Sequence, residues 1–297
     1  MKSNNNLRPT KLEDIIGQKA VKEKLGIIIK AAENRDSTIP HILFYGPSGT
    51  GKSTLSLAVA NEIDSKLHSL NAGNISSPKD ILPTVFRIGK NDVLFIDEIH
   101  RLNTKTCEML YTVMEDFNYS SGEDGIQINL PRFTMIGATT EAGTLPRPMY
   151  DRFVYKMELK LYDHDDLAEI IKWNASQYEL QIGDDAALNL AKRSRGTPRV
   201  ANNMVTWVRD YVNAKGSSVV SNAIADEAAR MMGIDTNGAT EADRAYIKAL
   251  RKLGRPSGIK TIIDASGIDE ETIVNIIEPF LIRGGVVART PKGRVLV

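Results

Sequence analysis

Apolar residues follow two rhythms along this chain, and the change between them divides it. In the first half, short runs that are almost wholly apolar alternate with stretches whose apolar residues recur at helical spacing. The runs at 41–45, 92–97 and 133–140 read as buried strands, because a strand covered on both faces needs no polar side, and 154–159 reads as a last strand. Residues 67–71 add another strand, and 118–130, alternating around Gly122 and Gly125, read as a β-hairpin. Between them, residues 11–32 read as a helical region interrupted at Gly17, with Ile15, Ile16, Val21, Leu25 and Ile28 on one face. Residues 53–63, 78–86 and 104–117 read as helices, the second capped by Ser77. Alternating strand and helix predict an α/β domain, a parallel sheet with helices on both faces.

From residue 163 the strand signal stops. Residues 163–178, 184–194, 198–214 and 221–232 read helical, with breaks at Gly183, Gly196 and Gly216, which predicts a small all-helical domain. After a linker, helices over 241–253, 259–265 and 270–281 precede a β-ribbon over 283–297 that turns at Pro291-Lys292-Gly293. Three helices and a ribbon describe a winged helix, a relative of the helix-turn-helix. The expected domains are therefore 1–160, 161–234 and 235–297.

Composition narrows this little. The 297 residues are 42% hydrophobic and 25% charged with a net charge of +1, an ordinary globular profile. A nucleic-acid surface would have to come from local clustering. The single Cys107 excludes an internal disulfide and suits a reducing, cytoplasmic setting. No apolar run approaches a membrane span, and residues 1–6 lack the apolar core of a signal peptide.

The candidate chemistry starts where the first buried run ends. Gly46-Pro47-Ser48-Gly49-Thr50-Gly51-Lys52-Ser53 fits the phosphate-loop pattern. Glycines let the backbone approach an anion, and the turn opens onto a helix N-terminus that attracts phosphate. Lys52 can reach terminal phosphates, and Ser53, followed by Thr54, can ligate Mg²⁺. The second long run ends in Asp97-Glu98, so carboxylates fall at the C-terminal edge of a parallel sheet, where ligands bind. Asp97 can hold Mg²⁺ through Ser53 and water, and Glu98 can prepare an attacking water. The next run ends in Thr139-Thr140, hydroxyls that sense a γ-phosphate or simply cap a strand. Arg147 and Arg152, in a turn, read as solvated or helix-pairing charges, and Arg199 is either a second phosphate sensor or a first-turn surface charge. From residue 239 onward there are ten Lys/Arg against seven Asp/Glu, and the ribbon carries Arg283, Arg289, Lys292 and Arg294, a footprint suited to a phosphate backbone.

Together these residues resemble the AAA+ ATPases, and within them the RuvB-type Holliday-junction branch-migration motors. The resemblance rests on Leu7-Arg8-Pro9, the phosphate loop, Ile96-Asp97-Glu98-Ile99-His100-Arg101-Leu102, Glu115-Asp116-Phe117, Asp151-Arg152-Phe153, Arg195-Gly196-Thr197-Pro198-Arg199 and the basic ribbon. It implies that Lys52, Asp97, Glu98, Thr140 (or Thr139) and Arg152 are catalytic. Thr140 would be the first sensor, and Arg152 would be an arginine finger reaching a neighbouring subunit's ATP. It implies nucleotide contacts from Leu7, Arg8, Gly49, Gly51, Lys52, Ser53, Thr54, Glu115, Asp116, Phe117, Arg152, Tyr162 and Arg199. Ser53 and Asp97 would serve Mg²⁺, and Arg289 and Arg294 would touch DNA.

The implied working form is a homohexamer on duplex DNA at Holliday junctions, with a RuvA-like junction binder and a RuvC-like resolvase. The hairpin, where the family docks its RuvA partner, is shorter than usual here. Glu270 stands where members commonly carry an arginine near DNA. Three other readings compete with the motor. They are a superfamily 2 helicase, which would need a second RecA-like domain, a clamp-loader-like ATPase, and a winged-helix regulator switched by ATP.

Overall fold

The computed structural model describes residues 8–121 and 125–297. The chain divides into two compact units: one holds residues up to Asp166 together with Thr197–Arg199, the other Leu167–Gly196 and Val200–Val297.

The first unit is a five-stranded parallel sheet between helices. In chain order it comprises α1 (Lys19–Asn34), β1 (Ile42–Tyr45), α2 (Lys52–Glu62), β2 (Leu67–Asn71), α3 (Pro78–Val85), β3 (Val93–Asp97), α4 (Thr104–Glu115), the hairpin β4 (Asn118–Ser121) and β5 (Ile126–Asn129), β6 (Thr134–Thr139), α5 (Arg147–Arg152) and β7 (Tyr155–Glu158). The sheet order is β2-β3-β6-β1-β7. Alternation along each strand feeds two cores. Ile42, Phe44, Val93, Phe95 and Ile136 join Leu25, Leu55 and Val59 on one side. Leu43, Leu94, Ile96 and Met135 join Ile81, Leu110 and Val113 on the other. This is why the strands read as unbroken apolar runs.

The helical reading over 11–32 needs correction. Residues 11–18 are turns and bends, and α1 begins only at Lys19. Gly17 and Gln18 both take left-handed dihedrals, φ 74° and 49°, which a helix cannot absorb. The Gln18 side chain instead serves the backbone of Lys160, donating to its carbonyl at 2.7 Å and accepting its N–H at 3.3 Å.

The second unit begins with α6 (His164–Gln177), which straddles the boundary. It continues with β8 (Gln181–Ile182), α7 (Asp184–Arg193), α8 (Pro198–Ala214), β9 (Val219–Val220) and α9 (Asn222–Met231). The lid is thus not purely helical: β8 and β9 pair in parallel, in runs of two residues that leave no pattern to read. Next come α10 (Glu241–Leu253), α11 (Ile259–Ser266), and α12 (Glu270–Thr272), which runs through a π-helical segment (Ile273–Ile277) into α13 (Glu278–Arg283). The antiparallel ribbon β10 (Val287–Thr290) and β11 (Gly293–Leu296) completes a winged helix. The ribbon starts later than residue 283 because α13 runs on to Arg283, and Gly284 and Gly285 then end it. Among the described residues no helix is long and apolar enough to cross a membrane.

Candidate functional site

The parallel register brings the C-terminal ends of three central strands together: Tyr45 lies beside Thr139, and Ile96 beside Gly137. Chemistry-bearing residues follow each end. After β1 the chain turns at Gly46, whose φ is 135° and where a Cβ would meet the Leu159 carbonyl oxygen at 2.2 Å. Gly49 has φ 77°, and a Cβ there would press on the Arg199 side chain at 3.0 Å. Gly51 then caps α2, so the N–H groups of its first turn point into the loop. The Lys52 ammonium is buried and donates to the carbonyls of Gly46 at 2.9 Å and Pro47 at 3.0 Å. Burial lowers its pKa, against the opposing charges of Glu98 and Asp97. Ser53 and Thr54 follow in the first turn, both half-buried.

After β3, Asp97 accepts the Glu98 N–H at 3.0 Å, and Glu98 takes a left-handed φ of 52°. Past β6, the two threonines divide their roles. Thr139 is fully buried, and its hydroxyl accepts the Glu141 N–H at 2.9 Å and meets His100 Nδ1 at 2.9 Å. Thr140 is exposed and donates to Glu98 Oε2 at 3.3 Å. Thr139 thus closes the strand end, and Thr140 is the exposed hydroxyl beside Glu98. His100 also lies 3.4 Å from Glu98 Oε2. Sequence reasoning used His100 only as part of a motif and gave it no role at the site, although its place two residues after Glu98 was a signal.

Arg199 lies against the same loop: Nη1 donates to Ser48 Oγ at 2.9 Å. Tyr162 is nearly buried, its ring over Gly17 and its hydroxyl beside Gly51. Burial pushes its pKa to about 12, against a hydrogen bond with Gln18. Arg8 is exposed in a bend. Leu7 lies outside the described residues, as does Gly122 of the hairpin.

Arg152 belongs to a different cluster. It donates to Glu115 Oε2 at 2.6 Å, to the Tyr111 carbonyl at 3.2 Å and to the Pro148 carbonyl at 2.9 Å, and lies over the Tyr111 ring. Phe117 stands under the Arg132 guanidinium and edge-on to Phe133. His41, Glu115, Phe117, Arg132, Phe133 and Arg152 line a cavity of about 410 Å³. Asp116 is exposed. No phosphate-loop residue is among the partners of Arg152. The structure thus brings Lys52, Ser53, Asp97, Glu98, Thr140 and Arg199 together and leaves Arg152, Glu115 and Phe117 apart from them.

In the wing, Arg289 and Arg294 face each other across the ribbon. Both bind Glu278, a carboxylate with no exposed surface, at 2.7 Å and 2.8 Å. Tyr246 donates to the same carboxylate at 2.9 Å.

A phosphate loop, a strand ending in Asp-Glu, a threonine on the next strand and an arginine from the lid stretch define a P-loop ATPase of the AAA+ class. Three family models match nearly the whole chain: the Holliday junction DNA helicase RuvB P-loop domain over residues 7–159, the RuvB AAA lid domain over 162–235 and the RuvB C-terminal winged helix domain over 236–297. The chain belongs to the RuvB family of Holliday junction branch migration ATPases. The RuvB subunit of the Holliday junction branch migration complex from Streptomyces avermitilis is 39% identical over 297 residues, 97% of this chain and 83% of that protein. The corresponding subunit of Fusobacterium nucleatum is 39% identical over 298 residues, 98% of this chain and 90% of the relative. The solved structure of the Thermotoga maritima RuvB branch migration motor superposes with a TM-score of 0.87 at 36% identity, covering 98% of this chain and 95% of that one.

Proposed function

We propose that this chain is an ATP-driven motor that moves Holliday junctions along duplex DNA in recombination and repair, working as a homohexameric ring in the cytoplasm. The observation that carries the reading is the match of P-loop, lid and winged-helix models, in that order, over residues 7–159, 162–235 and 236–297. The domains are taken as 1–160, 161–234 and 235–297. ATP lies along the phosphate loop, over the N–H groups of Gly49, Gly51, Lys52, Ser53 and Thr54. Tyr162, Arg8 and Leu7 flank it. Glu98 takes the proton of the attacking water, and Thr140 orients that water. The donor set of the site, the Ser53 hydroxyl and the Asp97 carboxylate, fits a hard divalent cation that keeps several waters. Mg²⁺ held by Ser53 and Asp97 would neutralise charge on the triphosphate.

Arg152 completes the site of the neighbouring subunit. Its separation from its own phosphate loop supports this, and Glu115, Asp116 and Phe117 would line the same subunit boundary. Arg199 senses the γ-phosphate and passes its loss to the lid. A RuvA-like junction binder docks on the β4–β5 hairpin, where Phe86 and Ile128 are exposed and Phe86 packs edge-on against Tyr119. A RuvC-like resolvase acts on the same junction. The test is migration of a synthetic four-way junction by the full chain, with and without a RuvA-type protein, against Glu98→Gln. ATP-dependent strand exchange lost in the variant is expected. ATP hydrolysis without junction movement in either condition would overturn the motor reading.

A further inference from the structure

Glu98 stands at a corner of the backbone. Its φ of 52° is left-handed, a conformation that such a residue keeps only where its surroundings impose it. A short 3₁₀ turn, Ile99–Arg101, follows at once. The Arg101 N–H closes it on the Glu98 carbonyl at 2.8 Å. Ile99 is buried and pins the turn to β6: a Cβ added at Gly137 would meet the Ile99 Cδ1 at 3.1 Å. His100 is the middle residue of this turn, and its ring comes back beside the Glu98 carboxylate. Nδ1 lies 2.9 Å from Thr139 Oγ1 and 3.4 Å from Glu98 Oε2. The His100 side chain keeps only 13% of its surface.

The partners of that ring place its hydrogen. An ionised carboxylate only accepts, so Nδ1 meets Oε2 favourably only when it carries the hydrogen, in the neutral and the charged ring alike. Thr139 Oγ1 accepts the Glu141 N–H at 2.9 Å and has a second lone pair for Nδ1–H. One N–H is thus shared between a buried hydroxyl at the end of β6 and the carboxylate. Thr140 donates to the same Oε2 at 3.3 Å. Among the described residues both side-chain donors to this carboxylate fall on Oε2, and Oε1 is the oxygen left to take a proton. Long contacts of this kind tighten in the reacting complex.

We propose that His100 is a positioning residue for hydrolysis: its Nδ1–H, anchored on Thr139, fixes the Glu98 carboxylate through Oε2 so that Oε1 faces the attacking water. The proposal rests on the reading of Glu98 as the base that prepares that water. A reacting group misplaced by about 1 Å loses about 10²-fold in rate. The ring has no partner in the phosphate loop among the described residues, so loss of its contact with Glu98 lowers kcat and spares the KM for ATP.

The experiment is steady-state ATP hydrolysis by the full chain, with thermal unfolding of each variant alongside. His100→Asn carries an amide N–H close to the place of Nδ1, whereas His100→Gln carries it near the place of Nε2, away from Glu98. The two amides are alike in polarity, so a purely structural role would not rank them by donor position. His100→Asn should keep most of the wild-type kcat. His100→Gln should lose about 10–100-fold in kcat, at unchanged KM and unchanged unfolding temperature. Added to Glu98→Gln, His100→Gln should cost nothing further, because the group it positions has already gone. Equal kcat in the Asn and Gln variants, high or low, would overturn the proposal, and so would an added loss on Glu98→Gln. A Glu98→Gln chain that hydrolyses ATP like the wild type would instead overturn the reading of Glu98 as the base.

Discussion

Thr140 Oγ1 lies 3.3 Å from Glu98 Oε2, while the neighbouring Thr139 is buried against His100 and the Glu141 N–H. The two threonines should therefore fail in different ways. Thr140→Val removes a hydrogen-bonding group at the reacting centre, and such groups are worth about 10²–10³ in kcat. Thr139→Val takes the acceptor from the part-buried Glu141 N–H, a cost of about 1 kcal/mol in stability. Steady-state hydrolysis and thermal unfolding of both variants separate the cases. Turnover lost in Thr139→Val at unchanged stability would reverse the assignment.

Arg152 predicts a complementation. Alone it pairs with Glu115 and reaches no phosphate-loop residue. Arg152→Ala should bind ATP normally but hydrolyse it about 10³–10⁵-fold more slowly. Glu98→Gln should also be inactive, losing a general base worth about 10²–10⁴. Mixed together, the two should regain activity, because an Arg152→Ala subunit keeps its own Glu98 and can borrow a finger from its neighbour. Mixtures that stay inactive would place the finger in its own subunit's site.

The strands were legible because both their faces are buried, so period-two alternation did not interrupt the apolar runs. The phosphate loop and Asp97-Glu98 were legible because their chemistry is local in sequence. What stayed hidden depends on register or on distant partners. A strand buried on both faces gives no alternation to follow, so the sequence does not say that Thr139 is buried and Thr140 exposed. The α1 boundary was missed because Ile15 and Ile16 keep helical spacing on the wrong side of two left-handed residues. The wing read as a free basic ribbon because Glu278, the carboxylate that binds it, lies on another element, inside a helix whose apolar pattern gives no sign of a buried acid.

Coupling between lid and wing should depend on Arg195. Its guanidinium binds Asp243, which is fully buried, donates to the Gly238 carbonyl at 2.9 Å and stacks on Phe280. Its carbonyl accepts from Arg283 at 3.0 Å. One residue thus ties the end of α7 to the first and last helices of the winged module, four positions before Arg199. Arg195→Lys keeps the charge but loses the planar fork and the stacking. Hydrolysis should persist while junctions moved per ATP fall several-fold. A proportional loss of both would make Arg195 a stability residue only. Asp243→Ala, which strands a nearly buried guanidinium, should cost about 3–5 kcal/mol.

Glu278 gives the winged module an acid limit. Burial raises its pKa, but hydrogen bonds from Arg294, Tyr246 and Arg289 outweigh it, and the net shift is downward. A carboxyl whose folded pKa lies below its unfolded value stabilises the fold above the unfolded value and loses that stabilisation as pH falls through the folded one. The loss should therefore begin near the ordinary carboxylate range, about pH 4, and deepen below it. Glu278→Gln should cost about 3–5 kcal/mol at neutral pH, since it leaves two guanidiniums facing a neutral group. The same variant should lose less additional stability on acidification than the wild type. Arg294→Ala should destabilise more than Arg289→Ala, because Arg294 is 20% exposed and Arg289 50%. Urea unfolding of the four proteins at neutral and acid pH measures all of this. Parallel acid losses in wild type and Glu278→Gln would show that other carboxylates set the limit.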